Sequence, residues 1–466
     1  MDTSILISLV IAGVAVCAAL GVMGFKGRLD TVGIDLGTTY SAVALRSGKV
    51  TDVLLDAQGR ALVPSAVYFA PDGKMLVGHD ALAHQHKDPR HVIFNAKRFI
   101  GRPFDDEAVT TQSRSHPFNI VPNASDSHSG AWFDMSKQTG GKHNASVSPE
   151  TVGEQILRHL LDIAEFNLGH RQIRKAVMAV PAKFDSDQRK ATADAYKQAG
   201  LKVMRVIEEP TAAALAYGLD KKKNVDYILV YDFGGGTLDV SLLFVNEESV
   251  QVIATHGDDQ LGGADFDLCL AGHVRKRLMD QMADGGGFHA DDCPPLYLPV
   301  ESEAARAAQL ASKGFEEVIK TEPCAPSQTG TLTCALPCSR SNVRVVAEKI
   351  KRNLSSRSWA VGYCTARKPV ESSSWGDCRV RKVNVTKVEF EEVCDNLFQR
   401  IMKPVHALLD EAGMPKGEVD EVVLVGGSSR IPRIREELKT YFNMDHLNTE
   451  IDPDITVAVG AASIVD

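Results

Sequence analysis

The sequence predicts a mixed α/β chain with an internally duplicated domain, and three stretches predict it. Ile228 to Tyr231 is an apolar run of the kind that forms a buried strand, and Asp232 ends it. Gly234, Gly235 and Gly236 follow, where a tight turn needs backbone freedom, and Thr237 to Leu242 alternate as a returning strand does. Residues 33–43 repeat the pattern: a strand-like run ends in Asp35, then come Gly37, Thr38 and Thr39, then an alternating run. Val422 to Pro432 gives a third strand, a Gly426-Gly427-Ser428 turn and a helix start. Two similar hairpins far apart in the chain point to a duplicated domain with a ligand cleft between its halves.

The chemistry of those turns is suggestive. A triglycine tip presents backbone N–H groups with no side chain in front of them, and such a tip can cradle phosphate oxygens. Asp232 and Asp239 add carboxylates that suit a hard cation such as Mg²⁺. Taken alone, the stretch reads equally well as a Gly-rich hairpin with two solvated aspartates. Composition bounds the rest. With 466 residues, 44% of them hydrophobic, the chain has room for two lobes, and a net charge of −8 argues against a basic nucleic-acid surface.

In order, the chain opens on Ile5–Phe25, an almost wholly apolar segment. About 20 such residues span a bilayer. Asp2 precedes the segment while Lys26 and Arg28 follow it, so its length favours an uncleaved anchor over 5–25 rather than a cleaved signal. The flanking charge alone places the following domain in the cytosol. From Thr31 to about Tyr217, strands and amphipathic helices alternate as in an α/β lobe. Within it, Asp105–Ser148 is rich in Ser, Asn, His and Gly and reads as surface loops or an irregular hairpin. Ser148 then caps a helix that has Pro149 first and keeps Val152, Ile156, Leu160 and Ile163 at helical spacing.

A second lobe starts near Asn224, with strand, hairpin and strand to about Thr255 and a helix from Leu261. Gly285, Gly286 and Gly287 break the pattern, and about 284–342 lacks periodicity, as an insertion does. Val343–Asn353 resumes as a helix, and Phe390–Ala412 reads as another, interrupted at Pro404. The predicted divisions are 31–222 and 223–466, with the C-terminal segment returning to the first lobe. Six of the nine cysteines lie from Cys293 to Cys378. Six cysteines allow 15 pairings, so disulfides and free thiols both remain open. Sequons for N-glycosylation occur at Asn123, Asn144, Asn353 and Asn384.

Together the three turns resemble the ATPase domain of the 70-kDa heat-shock chaperone family, within the actin and sugar-kinase superfamily. The resemblance runs from about Thr31 to Asp466. It also takes in Asn95-Ala-Lys-Arg-Phe-Ile-Gly101, Val180-Pro-Ala-Lys-Phe184, Glu209-Pro-Thr-Ala-Ala-Ala214 and Leu261-Gly-Gly263. It looks nearest to microsomal members that consist of the ATPase core. The resemblance implies an actin-like, RNase H-like duplicated two-lobe ATPase fold preceded by a hydrophobic helix. It further implies ATP or ADP with Mg²⁺, K⁺, J-domain co-chaperones and nucleotide-exchange factors as partners, and the endoplasmic reticulum lumen as location, against the flanking-charge reading.

Hydrolysis of ATP needs positioned phosphates, a metal, an oriented water and charge stabilisation. The resemblance assigns Gly37, Thr38, Thr39 and Tyr40 to one phosphate loop and Gly234, Gly235, Gly236 and Thr237 to the other. Asp35 and Asp232 match carboxylates that hold Mg²⁺ through its waters, and Asp239 matches one that also places K⁺. Lys97 matches the family's catalytic lysine, and Glu209 an acid near the metal. Glu348, Lys351, Arg352 and Ser355, at i, i+3, i+4 and i+7, match an adenosine clamp, with Arg352 and Arg430 around the adenine. Gly426, Gly427, Ser428 and Asp454 match the ribose and phosphate side. On local sequence alone, Lys97 reads as a surface lysine and Glu348–Ser355 as a solvated helix face.

Lys183, Glu208 and Ser429 depart from the family pattern. Pro181 and Arg189 match its interlobe switch pair. After Asp452 the sequence shows no acidic-leucine linker and no run of sandwich strands, so hydrolysis insensitive to extended peptides is the expectation. Two other readings stand beside the ATPase: a nucleotide-binding scaffold without turnover, and a sugar-kinase-like phosphotransferase.

Overall fold

The computed structural model describes residues 13–14, 30–85, 87–113, 116–123, 130–135, 146–169, 173–246, 249–281, 296–299, 332–335, 338, 340–367 and 378–465. Ile5–Phe25 therefore lies outside the described residues, apart from Gly13 and Val14, which are helical. Among the described residues no helix is long and apolar enough to cross a membrane. Two compact units emerge. One holds the described residues up to Leu82, Arg90–Ala212 and Val457 onward; the other holds Ala83–Pro89 and Ala213–Thr456.

The first unit contains β1 (Thr31–Asp35), β2 (Tyr40–Ser47), β3 (Val50–Val53), β4 (Val63–Pro64), β5 (Ala66–Phe69), β6 (Met75–Val77), β7 (Val92–Phe94), β8 (Ile120–Pro122), β9 (Ala131–Asp134), β10 (Ser146–Val147), β11 (Lys175–Val180) and β12 (Lys202–Glu208). Its main sheet runs β12-β11-β1-β2-β3, with β4 paired to β2. The Pro149–Leu168 helix forms as its sequence predicts. Ser148 Oγ accepts from the Thr151 N–H, and Val152, Ile156, Leu160 and Ile163 all turn into the core. The C-terminal helix Thr456–Ser463 ends this unit. A Cβ on Gly460 would fall 1.8 Å from the Ala212 carbonyl oxygen, and one on Gly33 2.2 Å from Ala462 N, so backbones meet directly there.

The second unit contains β13 (Tyr227–Phe233), β14 (Leu238–Asn246), β15 (Ser249–Asp258), β16 (Leu296–Pro299), β17 (Leu332–Ala335), β18 (Trp359–Arg367), β19 (Cys378–Thr386) and β20 (Glu421–Val425). Its sheet runs β15-β14-β13-β20. Here β20 pairs parallel with β13, while β13–β14 and β14–β15 are antiparallel. The run β11-β1-β2-β3 has the same order and the same strand senses. Ile228 to Tyr231 is buried on both faces, which accounts for an apolar run rather than an alternating one. Phe266 anchors the core above this sheet, with its ring centroid 6.1 Å from Phe233, 6.0 Å from Phe390 and 4.8 Å from Phe398. Such tilted aromatic pairs each add about 0.5–1.5 kcal/mol beyond area burial.

Several expectations need correction. Asp105–Ser148 is not merely loop, because it holds the Glu107–Ser113 helix and the β10-β9-β8 sheet. Its Phe118 and Phe133 are fully buried beside Phe99, and scattered apolar residues in a polar segment gave little periodicity to read. Phe390–Ala412 is three helices, Lys387–Val393, Asp395–Phe398 and Lys403–Ala412. The breaks fall at Cys394 and at 399–402, whereas Pro404 sits in the first turn of the last helix, where its missing N–H costs nothing. Within 284–342, β16 and β17 pair antiparallel, and the helix placed at Val343–Asn353 runs from Arg340 to Leu354. Among the described residues two disulfides form: Cys338–Cys364 within the clustered six, and Cys269–Cys394 outside them, because long-range proximity brings together cysteines 125 residues apart.

Candidate functional site

In the first unit, the turn between β1 and β2 carries Gly37, Thr38 and Thr39, with Asp35 at the end of β1 and Tyr40 opening β2. A Cβ on Gly37 would lie 2.1 Å from the Tyr40 carbonyl oxygen, so glycine is needed for this close approach. Buried Ser65 braces the turn from behind. Its N–H donates to Thr39 O (2.8 Å) and its hydroxyl to Gly37 O (2.8 Å). Sequence reasoning did not find Ser65, which lies outside every Gly-rich motif.

Lys97 and Glu209, 112 residues apart, form an ion pair of 2.5 Å with side chains only 11% and 14% exposed. Lys97 is the middle residue of the 3₁₀ turn Ala96–Arg98, and its ammonium also lies 5.9 Å from the Phe184 ring centroid. Glu209 opens the Glu209–Ala216 helix, whose N-terminal dipole favours a carboxylate. The fully buried Tyr196 hydroxyl donates to Ile34 O (3.4 Å). Burial holds its proton well above the usual phenol range, and the Asp35 and Glu209 carboxylates add to the effect, so both carboxylates lie within coulombic reach of it. Arg189 is committed elsewhere: it donates to Phe184 O, to Ala182 O and to the Glu208 carboxylate at 2.8 Å. Glu208, the departure from the family pattern, thus supplies that counter-charge.

In the second unit, β13 and β14 are joined by Gly234–Thr237, and Asp232 stands directly opposite Asp239 in the register. The three glycines do not use the expected backbone freedom through a positive φ, since none of them has one. Close approach instead demands glycine at two positions packed against the turn. A Cβ on Gly262 would lie 2.4 Å from Gly236 Cα, and one on Gly426 (φ +76°) 2.5 Å from Phe233 O. The turn's carbonyls are taken from behind, with Gly234 O accepting from Gly263 N and Ser428 Oγ and Gly235 O from Ala264 N. Among the described residues, the amides of Gly235 and Gly236 donate no main-chain hydrogen bond. A turn bonded through its carbonyls, with the Gly235 and Gly236 amides directed to no main-chain acceptor, has the chemistry to receive an anion.

The Arg340–Leu354 helix bears Glu348, Lys351 and Arg352, with Ser355 just beyond it. These four do not share one solvated face. Lys351 is buried, with its ammonium 2.8 Å from Asp267 Oδ1 and donating to Gly263 O at 2.8 Å. It therefore ties this helix to the start of the Gly263–Gln281 helix. Arg352 is exposed and 3.9 Å from Glu348, and Ser355 Oγ donates back to Lys351 O. Arg430 pairs with Asp452 and with Asp454 (3.2 Å). Burial pushes the Asp454 carboxyl above its ordinary range, opposed by Arg430 and more weakly by Arg352, so both guanidiniums lie within its reach. A Cβ on Gly427 would come 2.8 Å from Asp454 Oδ1, which puts this carboxylate against the Gly426-Gly427 turn. Asp267 and Asp452 were not singled out in the sequence, since nothing local marks the charge each one faces.

Among the described residues no group of three or more His, Cys, Asp or Glu side chains could hold a metal alone. The donors fit a cation that keeps its own waters and phosphate ligands, with Asp232 and Asp239 as opposed carboxylates on one hairpin. The family model described as Hsp70 protein matches residues 31–287 and 338–466 of this chain. Residues 288–337 fall between the two matched parts.

Proposed function

Because the chain belongs to the Hsp70 family, we propose that it binds ATP with Mg²⁺ and hydrolyses it to ADP and phosphate. Members of the family are chaperone-type ATPases, which sets the reaction class. The observation that carries the reading is the Gly234–Thr237 turn, whose carbonyls are occupied from behind while Asp232 and Asp239 face each other at its base. Its amides would take phosphate oxygens, and the two carboxylates would hold the metal together with its waters. Mg²⁺ would supply neutralisation of the phosphate charge. Glu348, Arg352, Arg430 and Asp454 would serve the adenosine, and Lys351 would keep the helix that bears Glu348 and Arg352 in place. In the first unit Lys97 would supply a compact positive charge to the transferred phosphoryl group, with Glu209 as its ion-pair partner.

The proposal extends to the endoplasmic reticulum lumen and to a role there in protein processing or quality control. The disulfides Cys269–Cys394 and Cys338–Cys364 suit an oxidising compartment, and Asn353 and Asn384 are exposed within sequons. The test uses the purified full-length chain with Mg·ATP. A rise in melting temperature with ATP and ADP, together with steady release of phosphate, is expected. Binding without release would favour the scaffold reading, and phosphate appearing on an added sugar would favour the sugar kinase.

A further inference from the structure

We propose that His116 is a positioning residue for Lys97, acting through Asn95. The proposal rests on the ATPase reading of Lys97. Asn95 precedes the 3₁₀ turn Ala96–Arg98 and adopts a left-handed backbone, φ 57° and ψ 24°. Asn tolerates that conformation better than other non-Gly residues, but it still needs something to hold it. Its own side chain makes no cap hydrogen bond to the turn. Instead, Asn95 Nδ2 donates to His116 Nε2 at 3.1 Å, and His116 Nδ1 donates to Gln112 O at 2.7 Å. One neutral tautomer, with its proton on Nδ1, satisfies both bonds at once.

The imidazole is itself fixed by packing. Its centroid lies 5.2 Å from the Phe94 ring, 5.6 Å from Phe99 and 4.9 Å from Phe118. Past the turn, Phe99 and Ile100 are buried, and Gly101, at φ +68°, sits where a Cβ would meet Gln188 Cα at 2.6 Å. The turn is therefore held downstream by packing and upstream by the Asn95–His116 bond. Lys97 lies between these two anchors, and its ammonium reaches Glu209. Releasing Asn95 lets the turn relax and moves Lys97 away from that position. It leaves the glycine turns that would hold phosphate, and the adenosine residues of the second unit, untouched.

The test is a double-mutant cycle in the full-length chain. His116→Phe keeps the aromatic packing and removes the acceptor. Asn95→Gly keeps the left-handed backbone and removes the donor. Each single variant is expected to lower kcat roughly three- to tenfold, the range that one lost hydrogen bond converts to, with the KM for ATP unchanged. The double variant should lose no more than the worse single one, because both remove the same bond. His116→Gln, which can accept from Asn95, should recover most of the rate. The proposal is overturned if the losses multiply, if KM rises in step with the fall in kcat, or if His116→Phe turns over like the parent chain. Lys97→Ala measured alongside separates the two levels: turnover indifferent to Lys97 defeats the ATPase reading, whereas a Lys97-dependent rate indifferent to His116 defeats only this inference.

Discussion

Replacing Lys351 by Met is expected to destabilise the second unit by about 3–5 kcal/mol at pH 7, the cost of breaking a buried ion pair from one side. The structure sets that scale. Both side chains are only 11% exposed, and among the described residues the buried Asp267 Oδ1 has no hydrogen bond to offset loss of the Lys351 ammonium 2.8 Å away. The substitution also removes the donor to Gly263 O. Burial already pushes the Asp267 carboxyl above its ordinary range, and Lys351 is the main opposing influence. Without Lys351 the carboxyl shifts further upward. A carboxyl raised in the folded state contributes most stability below its unfolded pKa and loses it as pH rises through the folded one. The deficit of Lys351→Met should therefore shrink as pH falls, because Asp267 then protonates. Urea unfolding followed at pH 7.5 and pH 5 measures both effects. Pairing the change with Asp267→Leu should recover most of the loss, since no charge is then left buried. A cost below about 0.5 kcal/mol, the level of an exposed pair, or a deficit that grows on acidification, would refute the reasoning.

Two further outcomes follow from the same region. Gly262→Ala places a Cβ 2.4 Å from Gly236 Cα, so it should cost about 1–3 kcal/mol and abolish the ATP-induced rise in melting temperature; undiminished ATP binding by calorimetry would contradict the packing argument. Cys269→Ser should lower stability by about 2–4 kcal/mol through loss of the bridge to Cys394, and reductant should then have a smaller effect on it than on the parent chain; equal sensitivity to reductant would argue against the pairing.

The hairpin at Ile228–Leu242 was legible because its strand is buried on both faces and its turn is punctuated by glycine. The Ser148 cap was legible for a similar reason, since capping is local chemistry. What escaped is long-range. The break falls at Cys394, which is bridged to the distant Cys269, while Pro404, conspicuous in the sequence, sits inside a first turn. The resemblance put Lys351 among the adenosine residues and the local pattern put it on a solvated helix face, yet its ammonium is taken by Asp267, 84 positions earlier. Likewise the three glycines at 234–236 were legible as a turn, but the close approach to it of Gly262 and Gly426, where a Cβ would clash, is made from elsewhere in the chain. The Lys97–Glu209 pair joins two motifs that the sequence supplied separately, and only folding sets them 2.5 Å apart.

Lys97→Ala tests the central claim most directly. Single-turnover phosphate release and equilibrium ATP binding are measured on the same preparation of the full-length chain. A charge that acts mainly in the transition state should cost about 10²–10³ in rate when removed and leave ATP affinity within a few-fold of the parent. Phosphate release at the parent rate would contradict the account.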